Sequence, residues 1–221
     1  MKKQSTNIEV KKNNRNYIFR YICRHGIVSN PDISYAVKMS LPTVTQNTKE
    51  LIERGLVKET GELESTGGRR AKALSVAANA KLAVGLDITK NHVGLMLTNL
   101  TGEILKYDRI HLPFQQQDGY YQMVSERLEC FLEEASADRE KLLGIGISFP
   151  GIVDLDNEVI VHSHVLGVES VSFTSVSRFF MYPCYFLNDA NAGGICGRNP
   201  FGKFGKIFLS FPEQFGGRSG F

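Results

Sequence analysis

The chain of 221 residues is long enough for one large or two modest domains, and its 42% hydrophobic content is ordinary for globular cores. It contains no run of about 18 apolar residues that could cross a membrane, and its polar N-terminus lacks the apolar segment of a signal peptide, so we expect a cytoplasmic protein with no membrane partner. The four cysteines are scattered without a C-x-x-C pair, which argues against a zinc site and a disulfide framework.

The net charge of +3 conceals a strong asymmetry along the chain. Residues 1–79 carry 14 Lys and Arg against 7 Asp and Glu, whereas residues 80–221 carry 12 against 16. This contrast predicts two modules, 1–79 and 80–221, with different partners. The basic module is a candidate for binding nucleic acid, although a solvated basic face without a partner would have the same composition.

Three helices are predicted in the first module, after a polar, Lys-rich arm over residues 1–12. The first helix runs from about Asn14 to His25, and Gly26 ends it. Ser29 and Asp32 have the spacing of a capping box, which predicts a second, short helix that ends near Met39.

Ser40 begins the third helix in the same way, and Gly55 ends it. The positions predicted to be buried are Leu41, Val44, Thr48, Leu51 and Ile52. The positions predicted to face outward are Thr43, Gln46, Asn47, Lys49 and Glu50. Two loosely alternating runs then flank "STGGRR", as in a β-hairpin with a Gly-rich tip. Three helices and such a hairpin predict a winged helix-turn-helix, with a helical domain for protein contacts as the alternative.

The third helix is the one expected to read DNA, because in this fold its N-terminal half enters the major groove. The wing could place arginines in the narrower minor groove, where the negative potential attracts them. The predicted DNA-binding residues are Ser40, Thr43, Thr45, Gln46, Lys49, Arg69 and Arg70. Arg15 and Arg20 are further candidates for phosphate contacts, which add salt-dependent affinity but little specificity.

The second module begins with three short strand patterns, "AVGLDI", "VGLMLT" and "EILKYDRI", which predict an antiparallel meander. An amphipathic helix over 120–137 and a buried strand, "LLGIGIS", follow. Next come a short strand at Val159–Val161, a helix over 173–180 and the strand "CYFLND". A helix opened by "ANAGGICG" and the strand "KIFLSF" complete the pattern. The alternation predicts an α/β domain whose site lies in loops at strand ends.

These motifs, in this order and spacing, resemble the ROK family of bacterial sugar-responsive repressors and sugar kinases. The resemblance rests on a winged helix ending in "STGGRR" and on "VGLDI", "GIGISFPGIVD" and "NDANAGG", and it extends from about Asn14 to Gly217. It implies the N-terminal lobe of an actin- and hexokinase-like, ribonuclease-H-like α/β fold behind the winged helix-turn-helix domain. The repressor branch carries such a winged helix and the kinase branch usually lacks it; xylose-repressor-like members are the most similar.

The resemblance also implies a sugar site. Pro150 and Gly151 would shape the loop beneath the sugar, Asp154 would brace it, and Asn188 and Asp189 would bind sugar hydroxyls. The family's phosphate loop reads Asp-Ile-Gly-Gly-Thr, but here Thr89 and Lys90 follow Asp87-Ile88. A Cβ at each position should crowd the phosphates, so we expect no catalysis, although Asp189 occupies the position of the kinase's general base.

Relative to the family pattern, we expect the second lobe to be missing after Phe221. The family's zinc site, a sugar-contacting Glu and most dimer contacts would lie there, so no cofactor is expected. His164-Val165-Leu166-Gly167 replaces a family segment whose Asn contacts the sugar, and we interpret His162 and His164 as loop or surface residues. The implied function is a sugar-responsive repressor of carbohydrate-utilisation genes, with those for xylose as a candidate set. Its implied partners are operator DNA, a sugar effector and a second copy of the chain. The alternatives are a sugar kinase with an added DNA-binding head and a gene fragment that binds DNA constitutively or does nothing.

Overall fold

The computed structural model describes residues 7–62 and 71–188, which form two compact units divided between Ala80 and Lys81. The first unit contains three helices and a two-stranded antiparallel sheet. Its elements are α1 (Asn7–His25), α2 (Asn30–Val37), α3 (Leu41–Glu53), β1 (Val57–Glu62) and β2 (Lys72–Val76). Among the described residues, no helix is both long and apolar enough to cross a membrane.

The helix boundaries of the first unit follow local capping chemistry. The predicted capping box at α2 is confirmed, since the Ser29 hydroxyl accepts from the Asp32 N–H while the Asp32 carboxylate accepts from the Ser29 N–H at 2.9 Å. The first helix, however, starts at Asn7 rather than near Asn14, so the prediction of an arm is wrong for residues 7–12. The apolar residues there, Ile8 and Val10, lie two positions apart and are both exposed, so this segment carries no helical apolar periodicity that the sequence could have shown.

The core of the first unit joins all three helices to the hairpin. Fully buried side chains are Ile18, Ile22, Ile33, Val44 and Leu51. The link between α1 and α2 also pairs with the wing, because Val28 and Leu74 exchange backbone hydrogen bonds of 3.0 and 2.8 Å. In the hairpin, Val57 pairs with Val76 and Glu62 with Lys72. Its tip, with Arg69 and Arg70, lies outside the described residues.

The second unit is built on a five-stranded mixed sheet. Its strands are β3 (Leu82–Ile88), β4 (His92–Asn99), β5 (Ile104–His111), β6 (Leu142–Phe149) and β10 (Cys184–Asn188), and their order in the sheet is β10-β6-β3-β4-β5. The predicted meander is confirmed, since β4 runs antiparallel to both β3 and β5. The strand β6 is parallel to β3 and to β10, so three strands end at the same edge of the sheet.

One face of this sheet packs against α4 (Asp118–Glu134) in a continuous hydrophobic core. The core residues on alternate strand positions are Val84, Leu86, Val93, Leu95, Ile145, Ile147 and Phe149. The helix contributes Tyr120, Val124, Leu128 and Leu132. The other face therefore presents the intervening residues, among them Gly85, Asp87 and Ser148.

A second sheet, not predicted in full, follows β6. It contains β7 (Ile152–Asp154), β8 (Val159–Ser163) and β9 (Val168–Ser172) in sequence order, and it precedes α5 (Phe173–Ser177). Only part of β8 was predicted. Strands of three and five residues have too few positions for an alternation of apolar and polar residues to be recognised. The predicted helix after "ANAGGICG" and the strand "KIFLSF" lie outside the described residues.

Candidate functional site

The exposed surface of α3 carries the residues predicted to meet base edges. Thr45, Gln46 and Lys49 are exposed and lie at spacings of one, three and four residues, which places them on one face of the helix. The Lys49 ammonium lies 3.7 Å from the Glu53 carboxylate, and both side chains remain largely exposed. Hydroxyl, amide and ammonium groups on one exposed helix face can contact both bases and phosphates.

Ser40 and Thr43 are engaged at the start of α3. The Ser40 hydroxyl accepts a 3.4 Å hydrogen bond from the Thr43 N–H, and the two hydroxyl oxygens lie 2.8 Å apart. The structure thus gives both side chains a part in capping the helix. Their predicted contacts with DNA remain a prediction.

Two faces of α3 differ from the prediction at particular residues. Asn47, expected to face outward, is buried, and its Nδ2 donates to the Thr43 carbonyl at 2.8 Å. Leu41, expected to be buried, is 46% exposed at the first turn. Asn47 directly precedes the buried Thr48, so it lies at the border of the buried face of the helix. Its side chain can be buried there because it hydrogen bonds to the helix's own backbone.

Arg15, proposed above as a phosphate contact, is instead an internal residue. Its guanidinium donates to Glu50 of α3 at 2.7 Å, and its side chain is 8% exposed. It therefore connects the first helix to the third, and the prediction of a phosphate contact is wrong. Arg20 is only partly exposed and has an interaction of its own.

The residues predicted to hold a sugar meet at the carboxyl ends of β6 and β10, which we call the strand-end loop (Pro150, Gly151 and Asn188). Asn188 pairs with Phe149 in the parallel register, and its Nδ2 donates a hydrogen bond to the Gly151 carbonyl. The Ser163 hydroxyl donates to the Pro150 carbonyl and accepts from the Leu166 N–H at 3.2 Å. The loop is held from both sides by side chains, one of which, Ser163, the sequence did not single out. Asp189 lies outside the described residues.

Close backbone contact explains the glycine in this loop. A Cβ built on Gly151 would collide with the His162 carbonyl oxygen and would lie 3.0 Å from the Ser163 Cβ. The backbone of the strand-end loop is therefore pressed against β8, and only a residue without a side chain fits.

Asp87 is the penultimate residue of β3, near the strand-end loop. The parallel register aligns it with Ser148 of β6, whose fully buried hydroxyl has no hydrogen-bond partner among the described residues. Across the sheet, Gly94 faces Asp87, and a Cβ there would lie 3.5 Å from the Asp87 Cβ. Asp87 and Ser148 therefore present a carboxylate and a hydroxyl on the sheet face opposite α4, whereas Asn188 has the register of Phe149 on the α4 side.

The turn from Thr89 to His92, where a phosphate loop would lie, is closed by its own hydrogen bonds. The Thr89 N–H and hydroxyl both donate to the His92 carbonyl, at 3.0 and 2.8 Å. The His92 N–H donates to the Thr89 hydroxyl at 3.1 Å. Two backbone N–H groups that could face a phosphate are therefore used inside the turn.

Asp154 braces the turn between β7 and β8. Its carboxylate accepts from the backbone N–H groups of Asp156 and Asn157, each at 3.0 Å, and from the Asn157 side chain at 2.7 Å. The Asn157 amide, foremost, and these backbone donors lower the pKa of Asp154 below its ordinary value. The residue supports the hairpin rather than the Pro150–Gly151 backbone itself.

His162 and His164, which follow Gly151 in the chain, lie close to each other but are not part of a group of metal ligands among the described residues. The His162 and His164 rings are 4.1 Å apart between centroids and nearly perpendicular. In residues 7–62 and 71–188, no group of three or more His, Cys, Asp or Glu side chains could hold a metal ion.

Comparison with known proteins assigns both units. Residues 83–198 match the ROK family, and residues 18–58 match a winged helix-turn-helix DNA-binding family. A Caldicellulosiruptor sp. protein named "Putative xylose repressor" is 33% identical over 201 residues, which cover 90% of this chain and 50% of that protein. The Escherichia coli K12 "DNA-binding transcriptional dual regulator NagC" is 26% identical over 181 residues, covering 81% of this chain and 45% of that one.

The fold has a relative among solved structures, a ROK family transcriptional regulator described as a homolog of the E. coli MLC protein. It superposes with a TM-score of 0.68 at 22% identity, over 85% of this chain and 48% of that one. The chain spans about half the length of the curated relatives it matches. Because the family match covers residues 83–198 of the 221, the chain belongs to the ROK family.

Proposed function

We propose that this chain belongs to a sugar-responsive transcriptional repressor of carbohydrate-utilisation genes, with residues 1–79 as the DNA-binding module and residues 80–221 as part of the sugar-binding module. The observation that carries the proposal is the exposed Thr45, Gln46 and Lys49 face of α3, within a winged helix-turn-helix attached to a ROK domain. Proteins named xylose repressors from Caldicellulosiruptor and Bacillus species are among its relatives. This supports a sugar as the effector and makes xylose the first sugar to test.

In this proposal, α3 lies in the major groove of double-stranded operator DNA. Thr45 and Gln46 contact base edges, Lys49 contacts a phosphate, and Ser40 and Thr43 present the start of the helix to the DNA backbone. Arg69 and Arg70 of the wing reach the minor groove. A second copy of the chain would supply the matching half-site, as two-fold operators require.

The effector is proposed to bind at the strand-end loop, where Asn188 and Asp189 face the sugar hydroxyls above Pro150 and Gly151. The Asn188 Nδ2 donates to the Gly151 carbonyl, which fixes the side chain beside the loop, and we assign the Asn188 amide to the sugar. A sugar that bound here would alter DNA affinity only if it bound one arrangement of the protein better than another.

We further propose that the chain is not a kinase. The Thr89–His92 turn uses two of its backbone N–H groups internally, and Thr89 and Lys90 stand where the kinases have glycines. A carboxylate that abstracts a hydroxyl proton needs a phosphoryl acceptor in line, and this turn offers it no cradle.

The test begins with duplexes selected from a randomised pool by the 221-residue chain and followed by electrophoretic mobility shift. We expect a shift that xylose, or another aldose in a panel, reduces. Failure to retard any duplex would contradict the DNA-binding proposal, whereas retardation insensitive to every sugar would contradict the effector proposal alone. Sugar phosphorylation with ATP and Mg²⁺ would contradict the assignment as a non-enzyme.

A further inference from the structure

The first residue of α3 is a leucine whose side chain is largely open to solvent. Leu41 is 46% exposed, and it precedes the exposed Thr45 by four residues and the exposed Lys49 by eight. Side chains four residues apart lie one above the other on a helix, so these three form one row along α3. We call it the reading row (Leu41, Thr45 and Lys49). Leu41 is its apolar member.

Leu41 takes no part in the buried face of α3. The buried residues of the helix are Val44, Asn47, Thr48 and Leu51. Leucine side chains in helices lean toward the helix start, so a leucine at the first position leans beyond the first turn. A single exposed leucine needs no explanation by itself. This one, however, heads the row of side chains that we assign to DNA, and in this fold the first residues of the recognition helix contact base edges.

The side chains next to Leu41 give the first turn of α3 an apolar surface beside two paired hydroxyls. The Ser40 hydroxyl accepts from the Thr43 N–H at 3.4 Å, and the hydroxyl oxygens of these two residues lie 2.8 Å apart. Pro42 is exposed and has no N–H to donate. Leu41 and Pro42 therefore offer carbon atoms to whatever this turn meets.

The major groove of unmodified DNA presents one apolar group, the C5-methyl group of thymine. The other groups on the base edges are hydrogen-bond donors and acceptors. A leucine placed against one of those would displace water without replacing its hydrogen bond, which costs free energy. Against a methyl group it removes apolar surface from water on both sides of the contact. The chemistry of Leu41 therefore selects thymine among the four bases.

We propose that Leu41 contacts the C5-methyl group of a thymine in the operator, which makes that base a fixed element of the recognised sequence. This contact rests on the proposed function, which places α3 in the major groove, and it adds the identity of one base. Eight residues correspond to about 12 Å along a helix axis. The reading row thus runs from the thymine at Leu41, past the base edges assigned to Thr45, to the phosphate assigned to Lys49.

The chain offers a matched control for Leu41. Ile27, in the link between α1 and α2, is an aliphatic residue that is 60% exposed. Leu41→Ala and Ile27→Ala remove the same number of carbon atoms from exposed positions outside and inside the link, so a general effect of lost apolar surface would be common to both. Leu41→Met keeps an apolar side chain of similar volume, and Leu41→Gln replaces its carbon surface with an amide. All four substitutions are at exposed positions, where large effects on folding are unusual.

The experiment removes the methyl group from the DNA and the leucine from the protein in the same cycle. Duplexes selected by the wild-type 221-residue chain from a randomised pool are resynthesised with uracil in place of each thymine in turn, and affinities are measured by fluorescence anisotropy. Uracil pairs as thymine does and lacks only the C5-methyl group. We expect the selected sequences to share a thymine whose replacement weakens wild-type binding about fourfold, the effect of one buried group of methylene size.

The protein variants assign that methyl group to its contact. Leu41→Ala and Leu41→Gln should bind thymine and uracil duplexes equally at the shared position, whereas Leu41→Met and Ile27→Ala should keep the wild-type preference. If no position shows a preference for thymine, or if Leu41→Ala and Leu41→Gln retain it in full, the Leu41 contact is wrong and DNA binding by the chain stands. If Ile27→Ala loses it as well, the effect is not specific to Leu41 and the contact is again wrong. If the chain binds no duplex, both this contact and the proposed function are wrong.

Discussion

The Nη1 atom of Arg15 on α1 donates a 2.7 Å hydrogen bond to Oε2 of Glu50 on α3, and the arginine side chain is almost completely buried. The pair joins the first helix of the winged unit to the helix that we propose reads DNA. It also removes one positive charge from the set available to phosphates. The basic composition of residues 1–79 therefore overstates the charge that this surface offers to DNA.

Replacing Glu50 should destabilise the first unit. Glu50→Gln leaves the Arg15 guanidinium buried without a carboxylate, and we expect a loss of about 1–2 kcal/mol, reduced from the value for a fully buried pair because Glu50 is 33% exposed. Urea denaturation followed by the helical circular dichroism signal measures this. Lys49→Ala, on the exposed side of α3, is the control and should change stability by less than about 0.5 kcal/mol. Equal midpoints for Glu50→Gln and wild type would refute the structural role of the pair.

Thr45 and Gln46 should determine sequence preference. Thr45→Ala or Gln46→Ala should reduce discrimination between a selected duplex and a scrambled one by about 1–3 kcal/mol, because each removes contacts to base edges. Competition binding against both duplexes measures the ratio. Ser40→Ala is the contrasting variant, expected to cost about 1 kcal/mol of stability through loss of the α3 cap. Undiminished discrimination in both Thr45→Ala and Gln46→Ala would argue against α3 as the reading helix.

Gly151→Ala should disturb the strand-end loop, because the new Cβ would collide with the His162 carbonyl and force Pro150 and Gly151 away from β8. We expect a destabilisation of about 1–3 kcal/mol, the usual cost of overpacking. Gly119→Ala is the matched control, since a Cβ at that helical position meets nothing within 4 Å. It should stabilise by up to about 1 kcal/mol. Thermal melts of both variants provide the comparison, and a harmless Gly151→Ala would show that the loop is less closely packed than described.

Ionisation of the Tyr121 hydroxyl should lower the stability of the folded protein at alkaline pH. Burial, and secondarily Asp118, raises the pKa of the folded-state hydroxyl to about 12 from an ordinary value of 10.0. The folded protein then keeps a proton that the unfolded chain releases, so this contribution is complete below about pH 10 and is lost as pH rises toward 12. Tyr121→Phe should lose less stability than wild type over that window in denaturant titrations. Parallel pH profiles would contradict the burial of this hydroxyl.

The sequence predicted the elements whose chemistry is local. Ser29 and Asp32 identified the start of α2, and alternation identified the β3–β4–β5 meander. It also placed Pro150, Gly151 and Asn188 at strand ends, and the structure brings these three together. The Arg15–Glu50 pair and the Ser163 bond to Pro150 link residues 35 and 13 positions apart, and no pattern in the sequence indicates such contacts. The burial of the Asn47 side chain depends on its hydrogen bond to the Thr43 carbonyl of the same helix. The apolar periodicity of the sequence gives no sign of such a bond.

The most direct test of the proposed function is the salt dependence of DNA binding by the wild-type chain and by Lys49→Ala, measured by fluorescence anisotropy on a selected duplex. The logarithm of the affinity should fall linearly with the logarithm of salt concentration, and Lys49→Ala should reduce the slope by about one while the Glu50→Gln variant retains the wild-type slope. An affinity that is independent of salt, or a slope that Lys49→Ala leaves unchanged, would contradict the placement of α3 against DNA.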